Sequence, residues 1–343
     1  MRFDVVVGNP PYQEESLDTS DTPIYHFFMD AAYEIAEKVC LITPARFLFS
    51  AGKTPEAWNQ KMLADEHLKV IFFEQDTNSI FPNTVIKGGV AITYRDTKIK
   101  YGAIGQFAPY PELNTIIQKV KQLNENSIET AIFLQNKLNL AELYSDHPAQ
   151  KTVIGSDGRE KRLTTSIFET LCTVFTKEKK ADTDLAIIGL QNNRRAKFFI
   201  PQKFIEQTDS LGKYKVLVPK ANGSGAIGEV IPTQLIGEPL IGEPQTGFTQ
   251  SFIAIGAFDL LSEAEAVSKY VKSKFARTML GVLKVTQDNP PEKWRYVPLQ
   301  DFTSQSDIDW KKPIPEIDEQ LYAKYGLDEN EIAFIEEKIT AME

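Results

Sequence analysis

The stretch of this chain best equipped for chemistry is Asp4-Val-Val-Val-Gly-Asn-Pro-Pro-Tyr12. A β-branched run, Phe3 to Val7, stops at Gly8 and passes into a polar turn. Two prolines stiffen that turn, since each fixes φ and removes an N–H donor. Asn9 offers a side-chain carbonyl, Pro10 a backbone carbonyl, and Tyr12 a flat aromatic face at the tip. Acceptors and an aromatic surface at the carboxyl end of a strand occupy the place where open α/β sheets put their active sites. The same residues also read as a tight turn after a strand, so the elements around them must be weighed with them.

Those elements alternate. Tyr25 to Lys38 carries apolar residues at helical spacing, and Val39 to Thr43 is a buried-strand pattern closed by Pro44, which with the first strand makes a β-α-β unit. A helix over Pro55 to Glu66 and strands at Lys69 to Glu74 and Val85 to Tyr94 continue the pattern, predicting an α/β half with several adjacent strands. A polar stretch around Ser145 to Lys151 marks a boundary. Beyond it come short strands, Leu185 to Ile188, Tyr214 to Val218 and Phe252 to Ile255, among loops rich in Gly and Pro. Tandem copies of Leu-Ile-Gly-Glu-Pro, Leu235 to Pro239 and Leu240 to Pro244, are loop or edge-strand material because each carries Pro. Helices return at Ser262 to Leu283 and Asp328 to Met342. The predicted organisation is therefore 1–150, 151–300 and an acidic helical segment, 301–343.

With 343 residues, 42% hydrophobic and 25% charged, the composition is that of a soluble globular protein of two or three domains. No apolar run reaches the roughly 18 residues of a membrane span, and no secretory leader is predicted, so the expected location is cytoplasmic. Cys40 and Cys172 lack metal-ligand spacing and are expected to be buried thiols, while His26, His67 and His147 are scattered; no metal site is predicted. The net charge of −9 divides into −6 over 1–150, +5 over 151–300 and −8 over 301–343. The middle segment could thus hold an anion-binding face that the total conceals.

Asn9-Pro-Pro-Tyr12 after an apolar strand resembles the catalytic motif of the amino-group DNA methyltransferases, specifically the adenine-specific methylases of bacterial restriction–modification systems. Thr22-Pro-Ile-Tyr-His-Phe-Phe, Leu41-Ile-Thr-Pro-Ala-Arg-Phe-Leu, Ile80-Phe-Pro and the carboxy-terminal Leu321-Tyr-x-Lys-Tyr-Gly-Leu-x-x-x-Glu331-Ile extend the resemblance in the family's order. It implies an N6-methylation of adenine in double-stranded DNA with S-adenosylmethionine as donor. Asn9 and the Pro10 carbonyl would each accept one hydrogen of the exocyclic amino group, drawing its delocalised lone pair toward the methyl group; Pro11 stiffens the turn. The base must leave the duplex to be reached, and Tyr12 would stack on it, with Phe81 as a second stacking aromatic. Asn9 and Pro10 would border the cofactor site. The implied fold is α/β, a partial Rossmann-like methyltransferase sheet followed by a mixed α+β target-recognition region and C-terminal helices. In that region Arg194, Arg195 and Lys197, beside Asn192 and Asn193, together with Lys213, Lys215 and Lys220, are the expected DNA contacts.

The family's aromatic-x-Gly-x-Gly cofactor loop and ribose-binding carboxylate lie upstream of the motif, so an upstream methyltransferase or restriction subunit is the expected partner. Gly223-Ser-Gly-Ala-Ile-Gly228 does not replace that loop, because Pro232, Pro239 and Pro244 deny it a following helix. Asn289-Pro-Pro-Glu292 repeats the triplet without a buried strand or an aromatic and reads as a linker turn. Glu336-Glu337-Lys338 has no upstream partner for a nuclease site. Two alternatives stay open: a catalytically inactive DNA-binding remnant, and a methylase acting on a protein glutamine amide.

Overall fold

A computed structural model describes residues 3–14, 22–82, 84, 86–123, 125–154, 161–222, 227 and 234–343. The chain is mixed α/β. Its first part holds β1 (Phe3–Gly8), the two-residue strands β2 (Gln13–Glu14) and β3 (Thr22–Pro23), α1 (Tyr25–Ile35), β4 (Ala36–Pro44), α2 (Glu56–Ala64), β5 (Leu68–Glu74) and β6 (Val90–Asp96). These make a four-stranded sheet in the order β1-β4-β6-β5. β1 and β4 run parallel through the α1 crossover, whereas β6 is antiparallel to both β4 and β5.

Two boundaries differ from the periodicity. α1 stops at Ile35, three residues early, because Ala36 already pairs with Phe3 in the sheet. The strand expected from Val85 starts at Val90: Gly88 and Gly89 both take positive φ and close a turn against Ile86. Gly89 is obligatory there, since a Cβ would lie 2.5 Å from the Glu74 carbonyl oxygen. Val85 itself lies outside the described residues.

One face of the sheet is covered. Met29 and Ala32 of α1, Phe47, Phe49 and Trp58 pack on Val39 and Leu41 in a single core. Successive side chains of a strand alternate faces, so Val6 joins this core while Phe3, Val5 and Val7 turn away and are 46%, 52% and 75% exposed. Among the described residues β1 pairs with β4 alone, so its outer edge is open.

The remaining elements are α3 (Pro111–Gln122), β7 (Ile132–Phe133), α4 (Leu140–Asp146), α5 (Gln150–Ile154), α6 (Ile167–Thr170), β8 (Asp184–Gln191), β9 (Arg194–Pro201), β10 (Tyr214–Pro219), β11 (Leu240–Gly242), β12 (Thr246–Phe248), β13 (Phe252–Phe258), α7 (Leu261–Lys272), α8 (Lys274–Gly281), α9 (Ile314–Lys324) and α10 (Glu329–Lys338). They build two further sheets, β11-β10-β13-β7 and β12-β8-β9. The cores cross the segment limits expected at 150 and 300. Leu113 and Ile116 of α3 share one core with Val216, Tyr270, Phe275 and Ile317 to Met342, while Leu138 to Leu211 form another around Phe168. The helix expected over Ser262 to Leu283 is two helices, because buried Ser273 is extended and its hydroxyl caps Ala276 N–H.

Candidate active site

β1, β4 and β5 all point their carboxyl ends toward one edge of the first sheet, and β6 begins there. That edge gathers Asn9 to Tyr12 after β1, Arg46 after β4, Phe81 beyond β5 and Lys87 before β6. Asn9 and Pro11 are exposed, and Pro10 and Tyr12 are half-buried. The turn is held from behind: Ile24 N–H donates to the Tyr12 carbonyl at 3.1 Å, and Gln13 and Glu14 pair with Pro23 and Thr22. Its outward groups are therefore free to meet a ligand while its backbone is fixed.

The Tyr12 hydroxyl is shielded from solvent and makes no hydrogen bond of standard geometry among the described residues. Burial pushes its pKa above the ordinary tyrosine value, and the Asn9 side chain beside it acts in the opposite direction. Tyr12 thus stays a neutral phenol at physiological pH, a ring with a polar tip rather than an anion. Phe81 is half-buried, its N–H bonded to the Thr77 carbonyl at 2.8 Å. β1 and β5 are three strand spacings apart, about 14 Å, and the seven residues from Glu74 to Phe81 are the length available to span that distance.

Two cations stand at this edge, Arg46 within the Leu41 to Leu48 stretch and Lys87, which no motif singles out. Arg46 Nε donates to the Lys87 carbonyl, and the arginine stem packs under Gly88, where a Cβ would come within 2.8 Å of it. Lys87 Nζ donates to Gln287 Oε1 at 3.0 Å, reaching the second half of the chain. Residues 284–293 form a strap between the halves. Val285 enters the core of the first sheet, and Lys293 Nζ donates to the carbonyls of Phe49 and Ser50, each at 3.4 Å. Asn289, in the second Asn-Pro-Pro, is fully buried within this strap and neither atom of its side-chain amide has a partner among the described residues. Its setting is thus unlike that of exposed Asn9.

The expected DNA contacts are not one cluster. Arg194 and Arg195 are exposed beside Asn192 and Asn193, which take positive φ in the β8–β9 hairpin, and Arg195 Nη2 donates to the Glu238 carbonyl. Lys197 lies over the Phe199 ring, 5.5 Å from its centroid. Lys213 is ion-paired with Asp259. Lys220 lines an open groove described below. Gly223, Gly225 and Gly228 of the glycine loop lie outside the described residues.

Lys215 requires correction. It is fully buried on β10, with Nζ donating to the carbonyls of Thr246 at 2.7 Å and Leu211 at 3.4 Å, so its charge cannot reach a phosphate. Both faces of β10 are covered, which the alternation Tyr-Lys-Val-Leu-Val hides. Burial lowers its pKa to about 8, against 10.5 for a free lysine. The unfolded chain then binds more protons between those values, so this group's contribution to stability rises with pH across that window, by up to about 3 kcal/mol. Lys215→Met lacks the titration, and the stability difference, wild type minus variant, should climb between pH 7 and 10 in urea unfolding; a flat difference would refute it. The cysteines also depart from expectation, Cys40 being half-buried and Cys172 exposed.

Among the described residues no group of three or more His, Cys, Asp or Glu could hold a metal ion, and no helix is long and apolar enough to cross a membrane. Among the described residues, no glycine-rich turn leading into a helix lies on the open side of β1.

Residues 1–81 match the family described as Eco57I restriction-modification methylase. A protein of Mycoplasma pneumoniae described as an uncharacterized adenine-specific methylase is 33% identical over 95 residues, covering 26% of this chain and 22% of that protein. Residues 1–81, the span of the family match, carry Asn9 to Tyr12.

Proposed function

We propose that this protein is the part of an adenine-specific, N6-directed DNA methyltransferase that orients the acceptor base, acting within a restriction–modification system. The observation that carries the reading is the Asn9-Pro-Pro-Tyr12 turn, exposed at the carboxyl edge of a sheet and braced from behind by Ile24 and the β2–β3 pair. The Asn9 side chain and the Pro10 carbonyl accept the two hydrogens of an adenine amino group. That arrangement withdraws the nitrogen lone pair from the ring and points it away from the turn. Tyr12 stacks on the extruded base, and its neutral hydroxyl avoids placing a negative charge beside the reacting nitrogen. S-Adenosylmethionine is the methyl donor that the methylase family leads one to expect.

The residues present fit the acceptor side of this reaction. The donor side is supplied by further elements that add to the open edge of β1 and cover Phe3, Val5 and Val7, apolar groups that are otherwise left in water. On this reading the two strands beyond the parallel pair, β6 and β5, complete one half of a Rossmann-like methyltransferase sheet, and the region after residue 150 serves target recognition.

The native complex, given labelled S-adenosylmethionine and duplex DNA, should produce N6-methyladenine. Label in protein glutamine, or none in DNA, would overturn the reading. Within that assay Tyr12→Ala should lower transfer by about 10–100-fold, the worth of one base–aromatic stack. Tyr12→Phe should retain most activity, because the ring and not the hydroxyl does the stacking.

A further inference from the structure

A groove of about 420 Å³ lies where Gln135, Lys137, Arg162, Glu206, Lys220 and Gln250 converge. Its floor is tied together by backbone. Lys137 faces Arg162 across an antiparallel bridge, Glu206 N–H donates to the Lys137 carbonyl at 2.9 Å, and Gln250 N–H donates to the Leu163 carbonyl at 2.7 Å. Lys137 and Arg162 are exposed and Lys220 is half-buried. None of the three has a carboxylate partner among the described residues, although many other lysines do. One carboxylate, Glu206, lines the same groove, leaving an excess of two positive charges.

Unpaired cations on a fixed backbone repel one another, and an anion relieves that repulsion. The groove also presents the amides of Gln135 and Gln250, a side chain able to bond adenine bidentately in the major groove. Its position links it to the reaction edge. The Lys220 carbonyl accepts Asn289 N–H at 2.7 Å, Asn222 N–H donates to the Gln287 carbonyl at 3.0 Å, and Gln287 Oε1 accepts from Lys87. Lys220 is thus joined through the strap to the edge that carries Asn9. By contrast, Arg195 and Lys213 of the hairpin side are already held by Glu238 and Asp259.

We propose that this groove, through Lys137, Arg162 and Lys220, seats the phosphate backbone of the duplex from which the target adenine is extruded. The assignment rests on the DNA-methylase reading above and locates its main backbone contact away from the β8–β9 hairpin. Phosphate contacts fix register while base contacts specify, so these three residues hold any sequence.

The test is anisotropy of a labelled mixed-sequence DNA duplex titrated with the full-length protein over a salt series. The K137A/R162A/K220A variant should bind about 10-fold or more weakly at low salt. The slope of log affinity against log salt should fall by about 2 to 3, near 0.9 per lost phosphate contact. A control that removes as much charge from exposed, ion-paired positions, K61A/K100A/K312A, should change affinity less than about twofold. Wild-type affinity and slope in the groove variant would overturn the groove alone, as would an equal loss in the control. Displacement of the duplex by equimolar RNA hairpin would overturn duplex DNA as the occupant. Failure of the wild-type protein to bind any duplex would instead remove the methylase reading together with the groove.

Discussion

Asn9→Ala is expected to reduce methyl transfer to DNA adenine by about 10²–10³-fold, the cost of removing one preorganised hydrogen-bonding group from a reacting centre. The folded state should be untouched. Asn9 is exposed, its side chain stands beside the Tyr12 hydroxyl within the same turn, and the turn is braced by Ile24 N–H on the Tyr12 carbonyl. The loss should fall on kcat with duplex affinity unchanged, because the contact with the amino group matters once the base has been extruded. Initial rates of labelled methyl transfer by the native complex, with urea midpoints for both proteins, separate these effects. A variant with near wild-type kcat would leave the turn a structural feature. Asn289→Ala offers the internal comparison: the same triplet, buried in the strap and carrying no acceptor to solvent, should leave the chemical step unchanged.

The second large effect concerns stability. Asp318, on α9, reaches the start of α8, where its two carboxylate oxygens accept Lys274 N–H at 3.0 Å and Phe275 N–H at 2.9 Å. These are among the donors that every helix leaves without an internal partner. Both lie in a buried setting, and Arg277 on the same helix completes the electrostatics of the site. Burial raises the carboxyl pKa to about 6, with the two backbone donors and Arg277 opposing that rise. Asp318→Ala would strand two N–H groups and leave Arg277 without its countercharge, a loss of about 2–4 kcal/mol. Asp318→Asn retains one acceptor oxygen and should lose about half as much. Urea unfolding near pH 7 ranks the three proteins; an Ala variant within about 0.5 kcal/mol of wild type would contradict the account.

What could be seen in the sequence was local. The β-branched run into Asn9-Pro-Pro-Tyr12 specifies a strand and a rigid turn within ten residues, and the α1 pattern closes a parallel crossover, so the β-α-β unit and the position of the turn follow from short-range rules. Pairing at long range did not follow. Nothing in Val90 to Asp96 announces that it will run antiparallel between β4 and β5, nor does α3 signal that it belongs with α10 and not with the sheet before it. Lys215 was misjudged for a related reason. An isolated lysine in a strand reads as the solvent side, but β10 is enclosed by neighbours that are far away in sequence. The break at Ser273 depends likewise on a carboxylate 45 residues later, Asp318. The cations of the groove come from three separate segments, and no spacing rule joins them.

These observations share one consequence for the mechanism. The turn proposed to meet the base and the groove proposed to meet the backbone belong to different cores, connected through residues 284–293. Lys87, Lys293 and Val285 hold that strap to the first sheet, while Ala221 and Lys220 hold it to the second half.

The most direct test of the central claim is the location of N6-methyladenine in genomic DNA from cells that carry this gene and from cells in which Asn9 alone is replaced by Ala. The account predicts methylation at one recurrent short sequence in the first and its disappearance from that sequence in the second. Unchanged N6-methyladenine at that sequence after the substitution would contradict it.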